Sequence, residues 1–291
     1  MILVTGATGN VGFELVKKLA AGGHRVRAFV RSRSRAQSIA FPRVEFAKGD
    51  FTNPATFPSA LAGVEHLFLL IPSSAEVEPQ QRNFVDMARL NKVKHIVKLS
   101  QLGADAHSPA RFRRYHGVVE NHIRKSGVPY TFLRPNLFMQ GLLNFRPTIS
   151  SQCALYAPAG NAKVSVVDAR DIASVAARTL TESGHEGKAY DITGPEPLTH
   201  TQMAHQLSYA LRKPVKFIDV SPHAMREVLL GSGMAAWQAD GVVENYEHCR
   251  RGEAAMVTST ARDVTGREPT TFFRFAQDCA GRLLGRLAAT A

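Results

Sequence analysis

Short apolar runs alternate with longer amphipathic segments over roughly the first half of the chain. Residues 2–5 are β-branched or aliphatic and stop at Gly6. Over Asn10–Ala21 the apolar residues Val11, Leu15, Val16 and Leu19 fall on one helical face, and Gly22-Gly23 ends the run. Residues 25–31 alternate polar and apolar as a strand does, and residues 43–47 form a further short strand. Residues 66–71 are the unbroken apolar kind that a parallel sheet buries on both faces. A helix over 80–90, a strand over 95–100, a helix over 115–126 and a strand over 130–134 complete the pattern. Repeated β-α-β order predicts an α/β fold with a Rossmann-type doubly wound parallel sheet. Such a sheet binds ligands along the edge where its strands end.

The rhythm breaks after about residue 145. Residues 164–167 are strand-like, 171–181 are helical with Asp171 near the start, and Gly194-Pro195-Glu196-Pro197 is a turn. Thr199 reads as a hydroxyl cap on a following helix, 214–220 as a strand, and 222–255 as helical with the only tryptophan, Trp237. No repeat or low-complexity linker interrupts the chain. The expected organisation is a sheet domain over 1–150 and a smaller α/β substrate lobe over 151–291, packed on the ligand edge.

The 291 residues are 44% apolar, which suits a globular core. Cys153, Cys249 and Cys279 lack metal-ligand or disulfide spacing, and the histidines show no metal pattern, so no metal is expected and the thiols read as reduced. No run is long and apolar enough to span a membrane, and residues 1–4 already read as a strand, so a cytoplasmic protein is expected. The net charge of +12 attracts anions. No helix-turn-helix, zinc or RNA-binding signature accompanies it, so nucleic acid is not an expected partner. A homodimer is compatible with this sequence.

Gly6-Ala7-Thr8-Gly9-Asn10-Val11-Gly12 gives the spacing G-x-x-G-x-x-G between a strand and a helix. Gly6 permits the tight turn, Gly9 lets the backbone approach a pyrophosphate, and Gly12 lets the helix lie close to the sheet. The helix N-terminus offers open N–H groups and its positive dipole end. The second strand runs into Arg31-Ser32-Arg33-Ser34-Arg35, and no Asp or Glu stands between Glu14 and Glu45. An acidic residue here would bind the ribose 2′-hydroxyl; arginines suit a 2′-phosphate, which favours NADPH over NADH, with Arg31 foremost and Arg33 beside it. Asp50 and Phe51 follow the third strand as candidates for the adenine, although an ordinary helix N-cap role near Thr52-Asn53 competes.

Read together, the glycine loop, Arg31, Gly49-Asp50 and Leu133-Arg134-Pro135-Asn136 resemble an atypical short-chain dehydrogenase/reductase of the NmrA-like group. Val167-Asp168-Ala169-Arg170-Asp171-Ile172-Ala173 and Tyr190-Asp191-Ile192-Thr193-Gly194-Pro195 resemble later segments of that group. It includes NADPH:quinone oxidoreductases, triphenylmethane reductases, azoreductases and non-catalytic redox-sensing regulators. The resemblance implies that Ile71 and Pro72 line the nicotinamide-ribose region; Ser100 and Gln101 end the fifth strand on the ligand edge, where they can touch the nicotinamide or equally form a plain helix or loop boundary. By the same resemblance Pro135, Asn136 and Phe138 contact the nicotinamide, with Phe138 also walling the substrate pocket.

Other members of the superfamily use a Tyr-x-x-x-Lys pair, which is absent here. His116 and Glu120 stand instead at i and i+4, resembling the His-x-x-x-Glu of the quinone- and dye-reductase branch. The expectation is that Glu120 raises and orients the His116 imidazole, so that it can donate a proton to the acceptor, with Tyr115 beside it. A packed histidine with a structural ion pair is the competing reading. Phe138, Met139, Leu142 and, more remotely, Trp237 are candidate walls for a flat aromatic acceptor, and are equally core residues by composition. Direct hydride transfer from NADPH needs neither flavin nor metal. The expected function is reduction of a quinone, azo dye or related acceptor; an NADP(H)-sensing module acting through a protein partner is the alternative.

Overall fold

The structure is a computed structural model that describes residues 1–285, apart from the side chains of Arg33 and Arg35. The assignment of Arg33 to the cofactor therefore lies outside the described residues. Strands β1 (Ile2–Val4), β2 (Val26–Val30), β3 (Val44–Lys48), β4 (His66–Leu69), β5 (His95–Leu99) and β6 (Tyr130–Pro135) pair in parallel in the order β3-β2-β1-β4-β5-β6. The strand Lys188–Ile192 adds on outside β6. β1, β4 and β5 are buried almost throughout, as a sheet covered on both faces requires. Helices α1 (Asn10–Ala21), α2 (Arg33–Ala36), α3 (Phe57–Leu61), α4 (Val77–Leu90) and α5 (Arg111–Ser126) connect the strands. α1 packs on the helix Ala169–Thr181, and α4 packs on α5. The predicted elements are present, with α5 starting four residues earlier than its apolar pattern suggested.

The chain divides into two units. The first holds residues 1–135 and 169–191; the second holds 136–168 and continues from 192. This differs from a single cut near residue 150. The helix Ala169–Thr181 turns Ile172, Ala173, Val175, Ala176 and Leu180 inward, packs on α1, and leads to the strand that extends the sheet. Burial of that stripe draws a segment from the second half of the sequence into the first unit.

In the second unit the helices His200–Leu211 and Phe272–Leu283 pack together over Ile149, Leu155, Val164, Leu207, Phe272 and Phe275. Thr199 caps the former helix: its Oγ1 accepts from the Gln202 amide at 3.1 Å, and Gln202 Oε1 accepts from the Thr199 amide at 2.8 Å. Residues 222–255 contain the helices Pro222–Gly231 and Ala236–Arg250. Met139 and Leu142, expected either as pocket walls or as core, are 2% and 7% exposed within the second unit's apolar cluster. Phe138 is partly buried and bridges to Val167, and Trp237 is half-buried near a helix start. No described helix is long and apolar enough to cross a membrane.

Candidate active site

The glycine loop sits at the switch point of the sheet, where the order reverses between β1 and β4. Thr5 ties the two strand ends together: its Oγ1 accepts from the Leu70 amide at 2.7 Å and reaches the Leu70 carbonyl at 2.9 Å. Gly6 has φ +62°, and a Cβ there would stand 2.8 Å from the Leu70 side chain. A Cβ on Gly12 would lie 2.1 Å from the Gly6 carbonyl oxygen. These two glycines let the turn fold back under the first turn of α1. No side chain caps that helix, whose N-cap is Gly9, so its first amides face outward beside exposed Thr8 and Asn10. Val11 is buried and offers only its backbone. A phosphate-sized anion fits this cradle in shape and in dipole sign.

Arg31 is exposed at the end of β2, and its charge helps hold the Asp50 carboxyl below the usual carboxylate range. The larger cause is local: Asp50 Oδ1 accepts from the Thr52 amide and from Thr52 Oγ1, both at 2.9 Å. The Asp50 side chain thus closes a local turn onto Thr52, and the short helix that follows has Asn53 at its N-cap without a side-chain cap bond, so the expected N-cap role is not seen. Phe51 joins an aromatic cluster with Phe29, Phe57 and Phe84, its ring 5.1 Å from both Phe29 and Phe84.

The α5 face overturns one expectation. Glu120 is not the partner of His116. Its carboxylate, 1% exposed, accepts from Ser100 Oγ at 2.6 Å, from Arg134 Nε at 2.9 Å and Nη2 at 2.5 Å, and from Arg124 at 3.3 Å. A forked guanidinium matches a carboxylate better than an imidazole does. His116 instead has Lys98 Nζ 2.8 Å from its Nδ1. Burial, with Lys98 beside it, holds the imidazole well below its ordinary range, so it is neutral at neutral pH instead of raised. The Tyr115 ring lies tilted against the His116 ring, 4.1 Å between centroids, and its hydroxyl meets Ser73 Oγ at 3.0 Å. Burial pushes its phenol up, which keeps it protonated.

Lys98 itself was missed. It stands in β5 with no exposed surface, and it also donates to the Leu99 carbonyl at 3.1 Å. Burial lowers its pKa to about 7, against the pull of Glu120. A lone lysine inside the otherwise apolar run 96–99 was the available signal. Arg134, quoted only for the family resemblance, anchors Glu120, and its own pKa is raised by that bond. Ser100 spends its hydroxyl on Glu120, and Ile71 is buried while Pro72 is exposed. Gln101 is partly buried, and the Pro135 carbonyl accepts from the Leu102 amide at 2.9 Å. In the second unit, the Asn136 amide donates to Ser165 Oγ and the Ala254 carbonyl, both at 2.8 Å, so its side chain serves the fold there.

Strand order, glycine turn and open helix terminus together define a Rossmann-type α/β protein. The chain belongs to the NmrA-like family, whose model matches residues 1–259. It is 36% identical to an NAD(P)H azoreductase of Xenophilus azovorans, over 95% of this chain and 97% of that protein. It is also 31% identical to quinone oxidoreductase 2 of Escherichia coli, over 93% and 96%. The crystal structure of a triphenylmethane reductase of Citrobacter sp. complexed with NADP(H) superposes with a TM-score of 0.84 at 29% identity, covering 96% of this chain and 100% of that one.

Proposed function

We propose that this chain is an NADPH-dependent reductase that delivers hydride to a conjugated acceptor such as a quinone or an azo or triphenylmethane dye. The observation that carries the reading is a neutral, partly exposed His116 whose Nδ1 is engaged by buried Lys98, in the same unit as the phosphate cradle. The relatives support the acceptor class: they are named for azo, quinone and triphenylmethane reduction, and one is complexed with NADP(H). When bound, the nicotinamide supplies the hydride. The protein supplies position, a shielded surface and a proton donor at His116 Nε2. Neither flavin nor metal is required by this scheme. Arg31 is the residue proposed to meet the 2′-phosphate.

The experiment is an anaerobic acceptor screen. Purified protein without added flavin is mixed with NADPH and a panel of benzoquinones, naphthoquinones, azo dyes and triphenylmethane dyes. Steady NADPH oxidation with at least one class is expected, and His116→Ala is expected to slow it by about 10²–10⁴-fold, the usual worth of a positioned acid. Tight NADPH binding without turnover on any acceptor would replace the reductase with a cofactor sensor.

A further inference from the structure

We propose that Lys98 is the positioning residue and proton reserve of His116, feeding Nδ1 as Nε2 gives its proton to the reduced acceptor. This deepens the reductase reading and rests on it for the second step.

The geometry comes first. Lys98 Nζ lies 2.8 Å from His116 Nδ1, and its other bond goes to the Leu99 carbonyl. Below pH 7 Lys98 is mainly an ammonium, which has hydrogens to donate and no lone pair to accept with, so Nδ1 is then the acceptor. The single proton of the neutral ring then sits on Nε2, which has no partner among the described residues. Glu120, the anion whose charge acts on Lys98, is already taken by Ser100, Arg124 and Arg134. A lysine with no exposed surface, paired with an imidazole and not with a carboxylate, is a costly arrangement for a strand interior that an aliphatic side chain would fill.

The proton ledger closes. After hydride arrives, the acceptor carries an added negative charge. That anion takes the Nε2 proton, and a proton moves from Lys98 Nζ to Nδ1. The ring is neutral before and after, with its hydrogen moved from one nitrogen to the other. Lys98 is left as an amine; water then returns a proton to Nε2 on the partly exposed ring, and Nδ1 hands its proton back to the amine, which restores both groups. Neither an imidazolium nor an imidazolate forms, which suits a ring that desolvation and Lys98 hold back from charging. The charges around this step are Glu120 on α5, Arg134 on β6 and, beyond it, Asp191 on the strand Lys188–Ile192. A lysine whose pKa has fallen to about 7 can both give and recover a proton near neutral pH.

The test substitutes Lys98→Met, which keeps the length and removes the charge. Nitrogen-15 NMR of labelled histidine, with the His116 signal assigned by His116→Gln, reads the tautomer from pH 6 to 9 without any acceptor. The wild type is expected as the Nε2–H form at pH 6, with an inflection near pH 7 as Lys98 titrates. The Met variant is expected to show a mixed tautomer and no inflection. With an acceptor, wild-type kcat is expected to fall above pH 7 by about tenfold per pH unit, as the ammonium fraction does. The variant should be slower and flat over that range. An Nδ1–H tautomer in the wild type, or a Met variant with an unchanged tautomer and pH profile, overturns the assignment. Should the variant misfold, carbon-13 NMR of the wild-type lysines decides: a Lys98 titration near 10.5 that leaves His116 unmoved also overturns it. The NMR arm needs no turnover, so it judges Lys98 even where the acceptor screen defeats the reductase reading.

Discussion

Gly9→Ala and Gly12→Ala differ by three positions in one loop and are expected to fail in opposite ways. At Gly12 the added Cβ would stand 2.1 Å from the Gly6 carbonyl oxygen, 2.7 Å from its carbon and 2.8 Å from Ala7 Cα. All three are backbone atoms, so no flexible side chain can swing aside. Overpacking of this kind costs about 1–3 kcal/mol, and the upper end applies because the backbone of both loop and helix must move. At Gly9 the nearest atom would be the Gly6 carbonyl oxygen at 3.4 Å, and φ −87° with ψ 176° is open to alanine. Only the weaker capping of alanine counts there, about 1 kcal/mol or less. From the role expected of this glycine, the new methyl would take space that a pyrophosphate needs. Urea unfolding of each variant, with and without NADPH, separates the two effects. Ligand at 100 times its Kd stabilises the wild type by about 2.7 kcal/mol. A tenfold loss of affinity in Gly9→Ala removes about 1.4 kcal/mol of that increment and leaves the ligand-free curve near wild type. Gly12→Ala should show the reverse emphasis, with its main loss already present without ligand. A Gly12→Ala protein as stable as wild type, or a Gly9→Ala protein with the full NADPH increment, would refute the steric account of this loop.

Two further outcomes follow from side chains. Arg31→Ala is expected to weaken NADPH by about 10–100-fold, the worth of one charge-assisted bond, and to leave NADH nearly unchanged; equal losses for both in a fluorescence titration count against the 2′-phosphate contact. Acid stability is set partly by His95 and His200, both buried, whose pKa values burial lowers to about 4. The unfolded chain takes up these protons first, so stability is full above pH 6.5 and declines as pH falls from 6.5 to 4, by on the order of 3 kcal/mol per histidine. His95→Gln should flatten that part of the stability–pH curve relative to wild type, and an unchanged slope would remove His95 from the account.

Much of this protein is legible along the chain because the relevant forces are local. A glycine needed for a turn is adjacent to the strand and helix it joins, so G-x-x-G-x-x-G between two apolar patterns specifies its own context. Strand and helix periods survive because each element buries a face of its own. Thr199 and Gln202 cap a helix within three residues of each other, and the hydroxyl was readable as a cap. What lay beyond reach was pairing across the fold. His116 and Glu120 share a helix at the spacing that suggests a pair, yet Arg134, fourteen residues on in β6, takes the carboxylate, and Lys98, eighteen residues back in β5, takes the imidazole. The return of residues 169–191 to the first unit is of the same kind, since only the sheet's free edge beside β6 shows where that strand belongs. The order of residues therefore determined the elements and the phosphate loop. The assignment of partners among buried charges waited on tertiary structure, because those energies depend on distance and burial in space and not on separation along the chain.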